Sequence, residues 1–181
     1  MPNVLEGSLC YLIGPIDYAS DQGKIWRKEI TNKCQEMKIK FLNPTNKVTG
    51  LKKEVDEEQI KIKNLKKHKQ WDTLSEFVKQ IVRSDHRCVD ICDFVICYIN
   101  TKCHMCGSYF ELQSALSQKK PYFIIVEGGK ENTPSWLFGI IDHKRIFDSV
   151  NSVVQNLIDL NSEKIPLDGR WVLIRKEIEA L

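Results

Sequence analysis

Short apolar runs alternate along this chain with longer stretches in which apolar residues recur at helical spacing. The runs are rich in β-branched and aromatic residues and end at turn-forming residues, a pattern that predicts buried strands. Unbroken apolar runs of this kind are typical of parallel strands that are covered on both faces. Five runs fit the description, at residues 8–13, 39–42, 93–99, 121–126 and 145–147.

The stretches between the runs predict helices. Within residues 24–37, for example, Trp26, Ile30 and Met37 share one face of a helix. Similar spacing predicts helices at residues 71–89, 108–118 and 150–160. Because Ser84 and Asp85 are favoured capping residues, we also expect a local restart within the helix at 71–89.

Strands and helices alternate with short links, which indicates βαβ units. We therefore expect a single α/β domain over residues 1–181, with a five-stranded, mainly parallel sheet and helices on both faces, flavodoxin/Rossmann-like in architecture. The tail at residues 166–181 contains an apolar stretch, Trp171 to Ile174, that fits either a strand or a helix.

A charged insertion at residues 51–70 interrupts the alternation. Its stretch 51–69 carries seven lysines and four acids, with only a thin apolar stripe. Charge runs of this kind usually form a solvated face, so one interpretation is a helix lying over the edge of the sheet. The other interpretation is a flap that attracts phosphate, and both stay open.

Composition narrows the classes of protein. With 27 Lys and Arg against 24 Asp and Glu, the net charge of +3 is too weak to indicate a nucleic-acid partner. No apolar run approaches the roughly 20 residues of a membrane helix, and residues 1–6 lack the features of a secretory signal. We therefore expect a cytoplasmic protein without a membrane partner, whose seven cysteines are free thiols.

Glu111 is the first candidate for chemistry, because it follows the third predicted strand at the sheet edge where open α/β folds bind ligands. Ser108-x-x-Glu111 also has the spacing of a capping box, in which the glutamate only satisfies the start of the helix. The two interpretations are partly compatible, since a carboxylate in the first helical turn stays ionised. Gly107 would let a ligand approach the backbone closely.

Two aspartates could assist Glu111. Asp85 lies at the polar end of an apolar helical stripe, and Asp93 opens the third strand. Two carboxylates beside one bond allow one to attack while the other moves a proton. For Asp93 a structural role at the turn before the strand is the competing interpretation.

Several short motifs, in order, resemble the nucleoside 2-deoxyribosyltransferase family, which includes related nucleoside 5′-monophosphate N-glycosidases. The resemblance spans residues 9–126. It is carried by Tyr11-Leu12-Ile13-Gly14-Pro15-Ile16, Asn43-Pro44, Asp85, Cys92-Asp93-Phe94 and Gly107-Ser108-x-x-Glu111-Leu112.

The resemblance implies a role for each matching residue. Glu111 matches the nucleophile that forms a covalent glycosyl-enzyme ester, Asp85 the residue that assists proton transfer to the departing base, and Tyr11 the residue that orients the nucleophile. Seven further motif residues are expected to contact substrate: Gly14, Pro15, Ile16, Asn43, Asp93, Gly107 and Ser108. The implied substrate is a nucleoside or nucleotide, and the implied assembly is a homo-oligomer whose sites are completed by neighbouring subunits.

The chain departs from the family at one position near the nucleophile. Deoxyribosyltransferases usually have an aspartate six residues before it, and here that residue is Met105. Arg27 and residues 14–16 could bind a phosphate, although Pro15 lacks an amide donor. Arg27 is otherwise expected to be a surface charge and Trp26 a core residue. We expect glycosyl transfer between bases, with hydrolysis of a 5′-monophosphate or nucleotide binding without catalysis as alternatives.

No cofactor or metal is expected. Cys103-x-x-Cys106 with His104, or with Cys88 and Cys92 nearby, suggests a zinc site, but a second well-spaced cysteine pair is lacking. The sequence has neither a glycine-rich phosphate loop ending in Gly-Lys-Ser/Thr nor a dinucleotide fingerprint after the first strand. A zinc nucleobase deaminase is unsupported, because its His-x-Glu and Pro-Cys-x-x-Cys motifs are missing.

Overall fold

A computed structural model describes residues 3–45 and 55–173 of the chain. Its strands are β1 (Leu9–Ile13), β2 (Lys40–Leu42), β3 (Phe94–Ile99), β4 (Tyr122–Val126) and β5 (Ile146–Phe147). Its α-helices are α1 (Lys24–Lys33), α2 (Val55–Lys67), α3 (Trp71–Ile91), α4 (Cys106–Ser117) and α5 (Val150–Asn161). Four short 3₁₀ segments lie in the connections, at Gln35–Met37, Gly129–Asn132, Ser135–Gly139 and His143–Arg145.

The five strands form one sheet in the order β2-β1-β3-β4-β5, and every pair is parallel. This confirms the expected α/β fold, with a sheet that is wholly rather than mainly parallel. The chain leaves β1 toward one side of the sheet and continues from β3 toward the other. The crevice between the carboxyl ends of β1 and β3 is therefore the switch point at which open sheets of this order bind ligands.

Side chains of the strands alternate between two cores. On one face, residues such as Leu12 and Ile96 pack with Trp26 and Ile30 of α1 and with α5. On the opposite face, Tyr11, Ile13 and Cys97 pack with residues of α3 and α4, among them Val89, Leu112 and Ala115. The predicted helices on both faces are confirmed, and the candidate catalytic Tyr11 faces the α3 and α4 side.

Two helix boundaries differ from the sequence-based expectation. α3 runs without a break through Ser84 and Asp85, so these residues do not restart it. The apolar face of α3 packs against α4, and this packing stabilises one continuous helix of 21 residues. The capping tendency of Ser84 and Asp85 is too weak to interrupt it. α4 begins at Cys106, two residues before the predicted start.

The charged insertion contributes the helix α2, while residues 46–54 lie outside the described part of the chain. Leu65 of α2 is buried, and the ammonium of Lys61 lies 4.0 Å from the centre of the Phe77 ring of α3. The side-chain amide of Gln59 donates to the carboxylate of Asp17, in the loop after β1. The insertion therefore packs on α3 and reaches the loop that borders the switch point.

The tail is described as far as Leu173 and contains neither a helix nor a strand up to that residue. Trp171 packs against Phe94 and Phe123, with ring centres 5.2 and 6.3 Å away. Of the apolar stretch predicted in the tail, Trp171 therefore packs on the core. Residues 174–181 lie outside the described residues.

Candidate active site

A hydrogen bond joins Tyr11 of β1 to Glu111 of α4. The Tyr11 hydroxyl donates to Oε1 of Glu111 at 2.8 Å, and Tyr11 is completely buried. Burial raises the pKa of Tyr11 well above its ordinary value, and the negative charges of Glu111 and Asp85 raise it further. The phenol is therefore a permanent donor that holds one carboxylate oxygen of Glu111 in place.

Glu111 lies deeper in its helix than the sequence suggested. The N-cap of α4 is Met105, which makes no side-chain capping bond, and Glu111 is the sixth residue of the helix Cys106–Ser117. The expected capping box of Ser108 and Glu111 is therefore wrong, because Ser108 is already inside the helix. The favourable effect of the helix N-terminus falls off within the first turn, so it acts only weakly on Glu111.

Asp85 approaches the same tyrosine from α3. It is half-buried, and its negative charge contributes to the raised pKa of Tyr11. Three elements, β1, α3 and α4, thus bring Tyr11, Asp85 and Glu111 into one neighbourhood on one face of the sheet. An arrangement of two carboxylates around one phenol can combine nucleophilic attack with proton transfer.

The loop after β1 borders this group. A Cβ atom at Gly14 would lie 2.8 Å from Cζ2 of Trp26 and 3.2 Å from the carbonyl oxygen of Tyr98. Only glycine fits there, because the loop crosses the end of β3 in close contact. Pro15 is buried and Ile16 half-buried, so this segment forms one wall of the crevice.

Three further predicted site residues also lie at or near the carboxyl edge. Asn43 follows β2, and its Oδ1 accepts hydrogen bonds from the amide and hydroxyl of Thr45 at 2.9 and 2.7 Å, which forms a local turn. Ser108 is buried in the first turn of α4. Gly107 is exposed, and a Cβ atom placed on it would meet nothing within 4 Å, so there is open space beside this backbone.

Asp93 does not join the other candidates. It precedes β3, and its carboxylate accepts a 2.7 Å hydrogen bond from the amide of Leu9, the first residue of β1. The Asp93 amide donates to the Leu9 carbonyl oxygen, also at 2.7 Å. Both contacts lie at the amino ends of the strands, so Asp93 ties β1 to β3 and lies at the opposite edge of the sheet from the other candidates.

The loop between β3 and α4 contacts the loop after β1. Cys103 donates through its thiol to the carbonyl oxygen of Tyr18 at 3.5 Å, and the rings of Tyr18 and His104 meet edge to face, with centres 5.3 Å apart. Met105, at the position where the family usually has an aspartate, is buried, and its sulfur accepts from the amide of Asn100 at 3.3 Å. This position therefore supplies an apolar surface instead of a carboxylate.

Sequence reasoning missed the burial of Arg27. The prediction of a surface charge was wrong, since Arg27 is fully buried and donates to three main-chain carbonyl oxygens. These bonds occupy the guanidinium, which opposes the suggested direct contact with a phosphate. The spacing Arg27, Ile30, Cys34 along α1 was the available signal, because it places the arginine on the apolar stripe.

A second tyrosine–glutamate pair was also missed. The hydroxyl of Tyr98 in β3 donates to the carboxylate of Glu127, just after β4, on the opposite face of the sheet from Tyr11. Burial, followed by the hydrogen bond and charge of Glu127, raises the pKa of Tyr98. The charge of Asp21, in the loop before α1, makes a further contribution to the raised pKa of Tyr98.

Metal binding and membrane insertion gain no support from the described residues. Across residues 3–45 and 55–173, no three His, Cys, Asp or Glu side chains are grouped as metal ligands. All seven cysteines are free, and four of them are buried. No helix in this part of the chain combines the length and apolar character needed to cross a membrane.

The fold is similar to those of two solved enzymes. A CMP N-glycosidase from Clostridium botulinum matches with a TM-score of 0.50 and 14% identity, covering 83% of this chain and 98% of the other. A 2-deoxyribosyltransferase from Leishmania mexicana matches with a TM-score of 0.52 and 16% identity, covering 84% and 98%. No protein-family model matches the sequence, and no curated protein shows a significant match. In its fold, the chain fits the nucleoside 2-deoxyribosyltransferase family.

Proposed function

We propose that this protein cleaves the N-glycosidic bond of a nucleoside or deoxynucleoside through Glu111 and transfers the sugar to another base. The observation that carries this proposal is the 2.8 Å hydrogen bond from buried Tyr11 to Glu111 at the β1–β3 switch point. A carboxylate fixed in this way lies in the helix that follows β3, beside the crevice in which open sheets bind ligands.

The chemistry follows from the charge that develops on the sugar. Breaking the bond to the base gives C1′ oxocarbenium character, and a Glu111 oxygen forms a bond to C1′ as the base departs with the bonding electrons. In this step Asp85 acts in its protonated form: it gives its proton to the departing nitrogen and becomes a carboxylate. In the second half-reaction a nitrogen of the incoming base attacks C1′, Glu111 leaves as a carboxylate, and the incoming base returns its proton to Asp85.

Tyr11 orients Glu111 in this scheme and transfers no proton. Its raised pKa keeps the phenol protonated at every pH at which the enzyme would work. A fixed donor also reduces the rotamer freedom of the carboxylate, so that the attacking oxygen is held near C1′ before reaction.

Hydrolysis of a nucleoside 5′-monophosphate is the alternative, and two observations are compatible with it. One similar structure is a CMP N-glycosidase. Met105 replaces an acid that the transferases usually have, and this residue is buried against the backbone of Asn100. In this version water takes the place of the second base, and the products are a sugar phosphate and the free base.

A single set of incubations distinguishes these reactions. Nucleosides, deoxynucleosides and their 5′-monophosphates are incubated with and without a different free base, and the products are separated by chromatography. A new nucleoside that forms only with added base indicates transfer, whereas free base released in its absence indicates hydrolysis.

The role of Glu111 is tested in the same assay with Glu111→Gln and Glu111→Ala. The matched control is Glu127→Gln, since Glu127 also accepts a hydrogen bond from a tyrosine at this edge of the sheet. We expect both Glu111 variants to lose at least about 10³-fold in rate and the control to keep its rate. Equal turnover by wild type and Glu111→Ala would show that the nucleophile is wrongly assigned. Thermal stabilisation by a nucleotide without product would indicate a binding protein.

We also propose that the protein is a cytoplasmic homo-oligomer, as the family resemblance implies. An apolar patch in the connection after β4, formed by Trp136, Phe138 and Ile140, supports self-association, since Trp136 is 82% exposed. Light scattering after size exclusion gives the mass in solution. A monomer at all concentrations would contradict the proposal, and Trp136→Glu should lower the mass of an oligomer that uses this patch.

A further inference from the structure

The β1–α1 loop, residues 14–23, is held at both of its ends by one side chain. Arg27 of α1 is fully buried, and its Nη2 donates to the carbonyl oxygen of Gly14 at 2.9 Å and its Nη1 to that of Gly23 at 3.0 Å. Its Nε donates to the carbonyl oxygen of Leu12 in β1 at 3.3 Å. A surface loop whose ends are tied together in this way has the form of an Ω-loop, so its middle can move while its ends stay fixed.

The two ends of the loop also pack directly against each other. A Cβ atom at Gly23 would lie 2.5 Å from the carbonyl oxygen of Pro15 and 2.1 Å from Nη1 of Arg27. The carboxylate of Asp21 accepts hydrogen bonds from the amides of Gly23 and Ile25 at 3.0 and 2.9 Å, which joins the end of the loop to the start of α1. The base of the loop is therefore a compact unit.

The tip of the loop, Asp17 and Tyr18, is exposed and is contacted from two sides. On one side, the side-chain amide of Gln59 in α2 donates to the carboxylate of Asp17. On the other side, the ring of Tyr18 meets that of His104 with centres 5.3 Å apart, and the Tyr18 carbonyl oxygen accepts from the thiol of Cys103 at 3.5 Å. The tip is thus held between α2 and the loop that precedes α4.

The base of the loop is held more strongly than its tip. Buried hydrogen bonds from a guanidinium group are stronger than hydrogen bonds between exposed side chains, for which water can substitute. Segments with exposed contacts open locally while the rest of the fold stays intact. We therefore expect the contacts of the tip to break while those of Arg27 persist.

The tip lies at the switch point of the sheet. The β1–α1 loop leads to α1, which packs on the opposite face of the sheet from Tyr11. The tip nevertheless contacts α2, which packs on α3, and the loop before α4, and both α3 and α4 cover the face of Tyr11. The loop therefore reaches across the carboxyl ends of β1 and β3, beside the candidate active site.

We propose that the tip of the β1–α1 loop is a gate of the candidate active site and that Gln59 is its latch. When the bond from Gln59 to Asp17 breaks, the tip leaves the β3–α4 loop, Arg27 keeps the base in place, and the crevice opens to solvent. Closure restores these contacts and excludes water from the site. The admission of a nucleoside through this gate rests on the proposed function, but the opening of the tip does not.

The thiol of Cys103 reports on the gate, because opening removes Tyr18 from it. Native protein is treated with a thiol-specific disulfide reagent, and mass spectrometry compares the labelling rate of Cys103 with that of exposed Cys106, the internal reference. Gln59→Glu places a like charge against Asp17 and should speed the labelling of Cys103 by about three- to tenfold. Gln59→Lys replaces the neutral bond with an ion pair and should keep the rate at or below that of wild type.

Two controls isolate the latch. Asn64→Glu makes the same change from amide to carboxylate at an exposed residue of α2 and should leave the labelling of Cys103 unchanged. In an Asp17→Asn background, Gln59→Glu and Gln59→Lys should label at similar rates, because no charge remains for them to repel or attract. Equal rates in wild type, Gln59→Glu and Gln59→Lys would overturn the proposal, as would an Asn64→Glu variant that labels as fast as Gln59→Glu.

Hydrogen exchange of wild type tests the gate without any variant. The amide of Ala19, which donates within the loop to Ile16 at 3.3 Å, should exchange at least about tenfold faster than that of Ile25, bound by Asp21 at the base, after correction for intrinsic rates. Equal protection of the two amides would show that the loop does not open from its tip.

Labelling and exchange require no turnover, so they separate the gate from the proposed function. If no nucleoside is cleaved while the labelling order holds, the proposed function fails and the opening of the tip stands. In an active enzyme, Gln59→Glu should raise KM by about threefold or more and Asn64→Glu should not, because the closed state that retains substrate is less populated. Unchanged kcat and KM in active Gln59→Glu would overturn the role of the tip as a gate.

Discussion

The hydroxyl of Tyr11 donates a hydrogen bond to Glu111 across a separation of 100 residues in the sequence. The bond links β1 to the helix that follows its neighbour β3. Because β1 and β3 flank the switch point of the sheet, it also fixes the geometry of the crevice between them.

Replacing Tyr11 with phenylalanine should affect activity more than stability. The Tyr11→Phe variant would keep the packing of the ring but leave the Glu111 carboxylate without its fixed donor. We expect kcat/KM to fall by about 10- to 100-fold and the free energy of unfolding to change by only about 1 kcal/mol. Steady-state kinetics and denaturant unfolding measure the two effects.

Tyr98→Phe is the control for this prediction. It removes the other tyrosine–glutamate hydrogen bond at this edge, on the opposite face of the sheet. We expect its kcat/KM to match wild type. A similar loss of activity in both variants would mean that the Tyr11–Glu111 bond has no special role in catalysis.

Asp93→Ala should destabilise the protein without changing its chemistry. The variant loses the 2.7 Å hydrogen bond to the amide of Leu9 and leaves that amide unsatisfied between β1 and β3. We expect a loss of about 1–3 kcal/mol in the free energy of unfolding. Asp90→Ala, at an exposed residue whose carboxylate accepts a hydrogen bond from Gln118, should cost less than about 0.5 kcal/mol.

The activity of folded Asp93→Ala should equal that of wild type, because the residue lies at the opposite edge from Glu111. Kinetics well below the melting temperature test this. A large increase in KM with unchanged stability would place Asp93 in the substrate site after all.

Two glycines at the candidate site should respond oppositely to alanine. Gly14→Ala brings Cβ to 2.8 Å from Trp26 and should cost about 1–3 kcal/mol of stability through overpacking. Gly107→Ala meets open space within α4 and should raise the free energy of unfolding by up to about 1 kcal/mol. If substrate approaches this backbone, as we expect, Gly107→Ala should nevertheless increase KM. Thermal unfolding and kinetics of both variants decide this, and equal destabilisation would contradict it.

The cysteines should separate into reactive and protected groups. Burial raises the pKa of Cys34 to about 12 and, with a smaller contribution of the opposite sign from Lys120, that of Cys92 to about 12. Burial likewise raises the pKa of Cys10 and Cys97. A raised pKa keeps these thiols protonated and unreactive up to alkaline pH.

Labelling with a thiol-specific disulfide reagent at mildly alkaline pH checks this prediction. Exposed Cys106 should react first, half-buried Cys88 and Cys103 more slowly, and the four buried thiols only after unfolding. Mass spectrometry of the digested protein assigns each label. Rapid labelling of Cys97 in the native protein would contradict the placement of β3 at the centre of the sheet.

The secondary structure followed closely from local patterns. Unbroken apolar runs such as Tyr122–Val126 predicted strands that are buried on both faces, and these formed where expected. Helix starts were less predictable. Ser108 has the chemistry of an N-cap, yet α4 starts at Cys106, because the contacts of Met105 in the preceding loop, and not a side-chain cap, set its first turn.

By itself, the sequence determined the strands, the helices and the alternation that makes the sheet parallel, since each depends on residue type and local spacing. Residue type and spacing also pointed to Glu111 and Asp85 as candidates, and the family resemblance added Tyr11. Only the tertiary structure decided which charged groups lie together. It placed Asp93 at the opposite edge from Glu111 and buried Arg27 behind the crevice. The physical reason is that burial and electrostatic contact depend on strand order and helix packing, which bring together residues that are distant in the chain.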